Sequence, residues 1–276
     1  MQGFSRGAWP HMLRAMRPRS LRAAPFPRIA LFSDVDGTLL DASDRLALAA
    51  DDVAMFIAHV ELILASSRTL AELGVIQRRL GITAPMIGEN GAVVSFPAGW
   101  RATPSTRREI VILGDRPSDI IPRIHRCAAQ SGVQVVNQKH LLPDRGRSLR
   151  RGHSVCVRDW RGESAERFLK CLAKSGLEAT RSGRWITITS GPHKGTGVRT
   201  VLARARKLGA GYARVVAVGN APNDRALLAA ARERFTIRNP RQGQHPALLD
   251  LPDVIPLSSS GRRAWRELLE LILARS

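Results

Sequence analysis

The chain has no apolar run near the eighteen or more residues of a membrane helix, so its pattern predicts no membrane span. It has only three cysteines in 276 residues, Cys127, Cys156 and Cys171, and neither a metal-ligand nor a paired spacing relates them. Their spacing predicts reduced, packed thiols and a cytoplasmic location rather than a disulfide scaffold or a zinc site. Aromatic residues are scarce, with one Tyr, seven Phe and five Trp. Proteins that bind single-stranded nucleic acid stack bases on aromatic side chains, and that interleaving is missing. No internal repeat is evident, which removes solenoids and propellers. Residues 1–28 hold no acid, and Pro10, Pro18, Pro25 and Pro27 interrupt any helix there. They predict a basic tail, either a disordered extension or an organelle transit peptide, without the apolar stretch of a secretory signal.

What is present is 44% hydrophobic residues and a formal net charge of +20, most of its excess arginine. The length suits one large domain or a core with a smaller insert. The charge raises nucleic acid or an anionic surface as partner. An arginine-rich, lysine-poor composition also follows from codon bias, and the lack of aromatic stacking argues against nucleic acid. No membrane partner is expected.

The chemistry centres on residues 31–41. Ile29 to Phe32 read as a short buried strand, and Asp34-Val35-Asp36-Gly37-Thr38 follows at its carboxyl end, where open α/β sheets bind ligands. Gly37 gives the backbone freedom for a sharp exit. Two carboxylates so close repel unless a cation or a shared proton relieves them, so the pair reads as a metal site, an acid/base couple, or both. A bare Asp-x-Asp-Gly is also an ordinary polar turn. A calcium loop of the EF-hand type fits badly, because Leu39 stands where Gly is needed and Arg45 where Glu is needed.

Downstream, the pattern predicts a helix over 46–57, a strand over 60–65, then Ser66-Ser67-Arg68-Thr69 and a helix with Leu70, Leu73, Ile76 and Leu80 on one face. A hydroxyl between strand and helix is placed to meet a phosphate oxygen beside the helix's unpaired amides. An isolated Ser there is also a plain N-cap. A strand near 85–88, the turn Glu89-Asn90-Gly91 and a strand over 93–96 follow. From 98 to 186 the pattern changes, with strands predicted at 109–113, 133–136, 155–157 and 177–180 and helices at 117–131 and 163–175. An arginine-rich loop with Arg145, Arg147, Arg150 and Arg151 precedes Ser154. Such a loop is commonly a solvated face, but guanidinium groups in it would bind phosphate or carboxylate bidentately. Trp185 to Thr189 is expected to return the chain to the core. Lys194-Gly195 then opens a helix, Arg214 to Val218 forms a strand, and Gly219-Asn220-Ala221-Pro222-Asn223-Asp224 follows. Strands near 235–237 and 254–255 and a helix over 261–274 end the chain.

These motifs, in this order, resemble motifs I to IV of the haloacid dehalogenase superfamily of phosphatases and phosphotransferases: Asp34 to Thr38, Ser66, Lys194-Gly195, and Gly219 to Asp224. Ser-Ser-Arg-Thr and Glu-Asn-Gly, with a large insert between motifs II and III, are similar to the large-cap branch and, within it, to the mannosyl-3-phosphoglycerate phosphatase family. The resemblance implies an α/β fold with a doubly wound, mainly parallel sheet core over 29–97 and 187–276, and an inserted α+β cap over 98–186. It also implies magnesium-dependent hydrolysis of a small phosphorylated glycosyl-glycerate. Asp34 would be the nucleophile and Asp36 the acid and base, while Ser66 and Lys194 would hold phosphate oxygens. Arg68, Asn90, Arg150, Arg151 and Ser154 would meet the rest of the substrate. Mg2+ would be held by Asp34, the Asp36 main-chain carbonyl, Asn220 and Asp224. Two positions depart from the family pattern. Asn220 stands where an Asp is usual, and Arg151-Gly152-His153-Ser154 stands near where family members tend to carry Arg-Glu-x-Ser-Glu-Pro. Sucrose phosphate or another sugar phosphate as substrate therefore stays open, as does a non-catalytic anion- or nucleic-acid-binding protein on the same fold.

Overall fold

The computed structural model describes residues 28–274 except 42, 49, 58, 104, 138–150, 183–184 and 240–242. The basic tail up to residue 27 and Arg145, Arg147 and Arg150 lie outside the described residues. The strands in chain order are β1 (Ile29–Ser33), β2 (Val60–Ala65), β3 (Met86–Gly88), β4 (Val93–Phe96), β5 (Glu109–Ile112), β6 (Val155–Arg158), β7 (Glu178–Ser182), β8 (Trp185–Thr189), β9 (Arg214–Gly219), β10 (Glu233–Thr236) and β11 (Val254–Pro256). Eight of them form one sheet in the order β11-β10-β9-β1-β2-β3-β4-β5. Pairing is parallel from β11 to β3 and antiparallel from β3 through β5.

Every residue of β1 is buried, which is why this stretch is a continuous apolar run instead of an alternating one. Ile29 and Leu31 face one layer, where α1 (Ala50–Phe56), α2 (Leu70–Leu80) and α8 (Gly261–Ala274) contribute Val53, Phe56, Leu73, Ile76, Trp265 and Leu268. Ala30 and Phe32 face the other, against Val198 and Val201 of α5 (Lys194–Lys207) and Leu227 and Leu228 of α6 (Arg225–Ala229). Helices on both faces of a mainly parallel sheet make this the expected doubly wound core. β1 sits between β2 and β9, so the chain leaves the centre in both directions, the switch point at whose carboxyl strand ends open α/β sheets bind ligands.

Strands β6, β8 and β7 form a separate antiparallel sheet in that order. α3 (Pro117–Ser131) and α4 (Glu163–Lys174) cover it through a core of its own that includes Ile120, Ile124, Phe168, Leu172, Ile186 and Ile188. Three details differ from the sequence reading. β5 pairs with β4 at the edge of the larger sheet instead of within the insert. Residues 133–136 form no strand: Val133 and Val135 pack on the insert's core, and beside them stand the Asn137–Val157 bridge and Arg158 N donating to Val136 O at 3.0 Å. Trp185–Thr189, expected to re-enter the core, is the middle strand of the smaller sheet, because Ile186 and Ile188 complete that sheet's buried face. Apolar alternation reports that a strand has a buried side but not which sheet it joins.

Cys127 of α3 and Cys171 of α4 form a disulfide, with a Cα–Cα distance of 5.5 Å and a sequence separation of 44. This corrects the expectation of three reduced thiols. The pairing is set by helix packing, which no local spacing announces. Disulfides persist mainly in oxidising compartments, so the ground on which a cytoplasmic location was expected is removed. Cys156 is free and buried. No described helix is long and apolar enough to cross a membrane. α7 (Pro246–Leu249) is a single turn before β11.

Candidate active site

Motif I leaves β1 as a tight turn. The amides of Thr38, Leu39 and Leu40 all reach Val35 O, at 3.3, 2.9 and 2.8 Å, and Gly37 sits at φ +80. A side chain could not replace the glycine hydrogen, since a Cβ there would lie 2.2 Å from Asn220 Nδ2. Motifs I and IV thus touch backbone to side chain at the sheet's carboxyl edge. The main chain of Asp34 is fixed by its amide donating to Val218 O at 3.0 Å, on the neighbouring strand β9.

At the carboxyl ends of these strands Lys194 Nζ donates to Asp34 Oδ1 at 2.5 Å and to Asp224 Oδ1 at 2.7 Å, with the lysine side chain only 1% exposed. Lys194 is the first residue of α5, whose N-cap is His193. It is therefore no surface charge. Burial opposes its charge, but Asp224 and Asp34 outweigh burial and hold the ammonium above its ordinary pKa. The Asp34 carboxyl is lifted from 3.8 to about 7, first by burial, then by Asp224 and Asp36, against the pull of Lys194. A buried carboxylate poised near neutrality beside one fixed ammonium suits a nucleophile that must meet an anion.

Asp36 lies nearer the surface. Arg68 grips it with Nη2 at 2.6 Å from Oδ1 and Nε at 3.0 Å from Oδ1 and 3.2 Å from Oδ2, and the same Nη2 reaches Asp44 Oδ1 at 2.8 Å. Arg68 was expected to meet substrate; it is placed instead on the carboxylate expected to move protons. Burial works against the guanidinium's charge, and Asp36 and then Asp44 more than compensate, raising its pKa.

Ser66 is fully buried at the end of β2, and its Oγ accepts the Arg68 amide at 3.2 Å. It is not the N-cap of the helix that follows. That role falls to Thr69, which with Glu72 forms a capping box: Glu72 N donates to Thr69 Oγ1 at 3.3 Å, and Thr69 N to Glu72 Oε2 at 2.8 Å. Asn90, whose amide donates to Ser66 O at 2.9 Å, is 3% exposed, and neither end of its side-chain amide has a partner. Arg151 Nη1 donates to Ser67 O at 2.6 Å and lies 3.4 Å from Ser154 Oγ. Ser154 is buried and gives its hydroxyl to Glu89 Oε2 at 2.6 Å. Arg151 and Ser154 thus meet the motif II loop and the Glu89 turn, while Arg150 is outside the described residues.

In motif IV, both oxygens of Asp224 are engaged. Oδ1 takes Lys194, and Oδ2 accepts the amides of Asn220 at 2.9 Å and Ala221 at 3.0 Å. Asn220 Oδ1 and Asn223 Oδ1 are buried without a partner. An orphaned buried oxygen is costly to leave unpaired, so a cation or a water is what Asn220 Oδ1 calls for. An Asp34 oxygen, the Asn220 amide oxygen and the Asp36 carbonyl would make a hard-oxygen donor set that suits Mg2+, which keeps several waters. Among the described residues no group of three His, Cys, Asp or Glu is placed to hold a metal, so any ion here depends on the amide and the main chain. Asp224, expected as a ligand, is placed as the scaffold of Lys194 and of the motif IV loop.

The sequence reading gave no role to Asp44, Glu89 or Asn223. Asp44 and Glu89 meet their partners only across distant segments, and Asn223 carried a signal in its motif that went unused.

Residues 31–120 match the family described as haloacid dehalogenase-like hydrolases. Among solved structures, the chain is similar to sucrose-phosphatase of Synechocystis, crystallised with sucrose and phosphate, at 14% identity over 90% of this chain and 99% of that one, with a TM-score of 0.61. It is also similar to a phosphatase of the haloalkanoate superfamily from Bacteroides thetaiotaomicron, at 16% identity over 94% and 99% with a TM-score of 0.63. A haloacid dehalogenase-like hydrolase of B. subtilis aligns at 15% identity over 88% and 98%, with a TM-score of 0.62. Residues 31–120 thus resemble haloacid dehalogenase-like hydrolases, and the chain as a whole shares the fold of these solved structures.

Proposed function

We propose that the protein is a magnesium-dependent phosphomonoesterase acting on a small phosphorylated substrate that also bears a carboxylate, a mannosyl-3-phosphoglycerate-like molecule being the best fit. The observation that carries the reading is the buried Asp34–Lys194–Asp224 cluster with Asp36 gripped beside it by Arg68. An Asp34 oxygen attacks phosphorus, and the bond from phosphorus to the leaving oxygen breaks as Asp36 delivers a proton to that oxygen. Asp36, now ionised, takes a proton from the water that opens the aspartyl phosphate, releasing inorganic phosphate and restoring Asp34. Lys194 offsets negative charge on the phosphoryl oxygens, and the Ser66 hydroxyl lies at the strand end to receive one of them. Mg2+, held by Asp34, the Asp36 carbonyl and Asn220 Oδ1, would supply the Lewis acid that screens nucleophile from phosphate.

One guanidinium group supports the carboxylate: Arg151 stands on the Ser67 carbonyl, next in chain to the Arg68 that grips Asp36. A neutral sugar phosphate, as the fold shared with sucrose-phosphatase suggests, is the second reading. The test is phosphate release from sugar phosphates and phosphoglycerate derivatives with and without Mg2+. Magnesium-dependent release with preference for carboxylated substrates is expected, and preference for neutral hexose phosphates would select the second reading. No release from any substrate, with salt-sensitive binding of nucleic acid, would overturn both.

A further inference from the structure

Glu89 begins the Glu-Asn-Gly turn and is 4% exposed, yet the chemistry above does not use it. Its carboxylate is filled from one direction. Oε1 accepts the Gly152 amide at 3.0 Å, and Oε2 accepts the His153 amide at 3.0 Å and the Ser154 hydroxyl at 2.6 Å. All three donors belong to the segment that leads into β6 of the smaller sheet. The main chain of the turn is tied to motif II, with Glu89 N donating to Arg68 O and Asn90 N to Ser66 O, both at 2.9 Å. One carboxylate therefore joins the phosphate-binding loop to the insert.

The turn is also strained. Glu89 and Asn90 take φ of +50 and +56, and such left-handed conformations persist in residues other than glycine where the surroundings over-determine them. Gly91 follows at φ +96, with His193 O so close that a Cβ would lie 2.1 Å from it. The turn is thus wedged between the start of α5, which carries Lys194, and the insert. The segment held by Glu89 is next in chain to Arg151, whose guanidinium donates to Ser67 O.

We propose that Glu89 is a positioning residue: it locks the Gly152–Ser154 turn of the insert onto the motif II loop and thereby seats Arg151 on the Ser67 carbonyl, next in chain to Arg68. That Arg151 then meets the substrate's carboxylate rests on the phosphatase reading; the lock itself does not.

Hydrogen exchange on the full chain tests the lock without catalysis. The amides of Gly152 and His153 donate directly to the carboxylate, so Glu89→Gln should speed their exchange about tenfold or more, while residues 29–33 exchange as before. Ser154→Ala, which removes one donor and keeps the acid, should give a smaller increase in the same segment, and it carries the test if Glu89→Gln does not fold. Unchanged exchange at residues 152 and 153 in the variant that folds overturns the lock. Kinetics with 3-phosphoglycerate test the seating. Glu89→Gln and Arg151→Ala should each raise KM with kcat within a few-fold, and the double variant should be no worse than Arg151→Ala alone. Additive KM effects overturn the seating of Arg151. A wild-type protein that releases phosphate from nothing refutes the phosphatase reading and leaves the lock to be decided by exchange.

Discussion

Replacing Lys194 by Met keeps the length of the side chain and removes the ammonium that Asp34 and Asp224 share at 2.5 and 2.7 Å. Breaking a buried ion pair by deleting one partner typically costs about 3–5 kcal/mol, because the other charge is left buried. The cost must depend on pH in a definite direction. Asp34 already sits near 7 against an ordinary 3.8, lifted by burial first and then by Asp224 and Asp36, and Lys194 is the group pulling it down. Without that pull it rises further. The folded protein then binds a proton on Asp34 where the unfolded chain does not, so this group's contribution to stability falls as pH rises from about 4 through the folded value. In the wild type that window closes near 7; in Lys194→Met it extends above. The penalty at pH 8 should therefore exceed that at pH 5 by up to about 1.4 kcal/mol, one pH unit of the widened window, on top of the loss of Asp224's partner at both pH values. Urea unfolding in EDTA at the two pH values, with unchanged m, measures it. Phosphate release should fall by about 10²–10³-fold, as for loss of one pre-organised charge donor. Equal penalties at pH 5 and pH 8, or activity within a few-fold of wild type, would refute the placement of Lys194 as the shared counter-charge.

Asp34→Asn should abolish phosphate release while leaving the thermal transition in place or higher, since an amide cannot attack phosphorus and no longer buries a charge; measurable turnover would remove Asp34 from the mechanism. Arg68→Ala should lower kcat more than it raises KM, because Arg68 holds Asp36 rather than open solvent, and Arg68→Lys should restore only part of the loss, a point charge being unable to reproduce the two-nitrogen grip. A pure KM effect in Arg68→Ala would return this residue to substrate binding. Asn220→Asp should lower the magnesium concentration for half-maximal activity, and a midpoint that stays put would show that Asn220 Oδ1 does not reach the ion.

The centre of the fold was readable because a strand buried on both faces leaves an uninterrupted apolar run, and β1, β2 and β9 all show one ahead of a polar motif. The helices on the two faces were readable from their apolar stripes. What misled the reading is local similarity between environments. Trp185–Thr189 alternates like any half-buried strand, and only its pairing with β6 and β7 assigns it to the smaller sheet. Val133 and Val135 bury themselves from a loop. The helix expected from residue 46 begins at Ala50, because the Leu40–Leu46 bridge and the Ala47 amide bonding to Leu39 O hold the preceding residues against the motif I turn. The Cys127–Cys171 pair is likewise a product of two helices meeting.

The site shows the same division between chemistry carried by one motif and chemistry assembled from several. Asp34, Ser66 and Lys194 stand out because each sits at a strand end or helix start. The grip of Arg68 on Asp36 and Asp44, and of Glu89 on residues 152–154, joins segments 24 to 65 residues apart, and no pattern in the chain marks those partners. Position 220 shows what such assembly means for the ion. Asp34 and Asp224 share one ammonium, so this buried cluster presents a single uncompensated negative charge to an incoming cation. An Asp at 220 would make it two, and the metal would be attracted accordingly more strongly. With Asn, the oxygen remains at the Gly37 turn and the extra charge does not, so on the proposed reading much of the attraction for Mg2+ would come from the dianionic phosphate. Metal occupancy would then follow substrate occupancy, and Asn220→Asp is the change that should uncouple them.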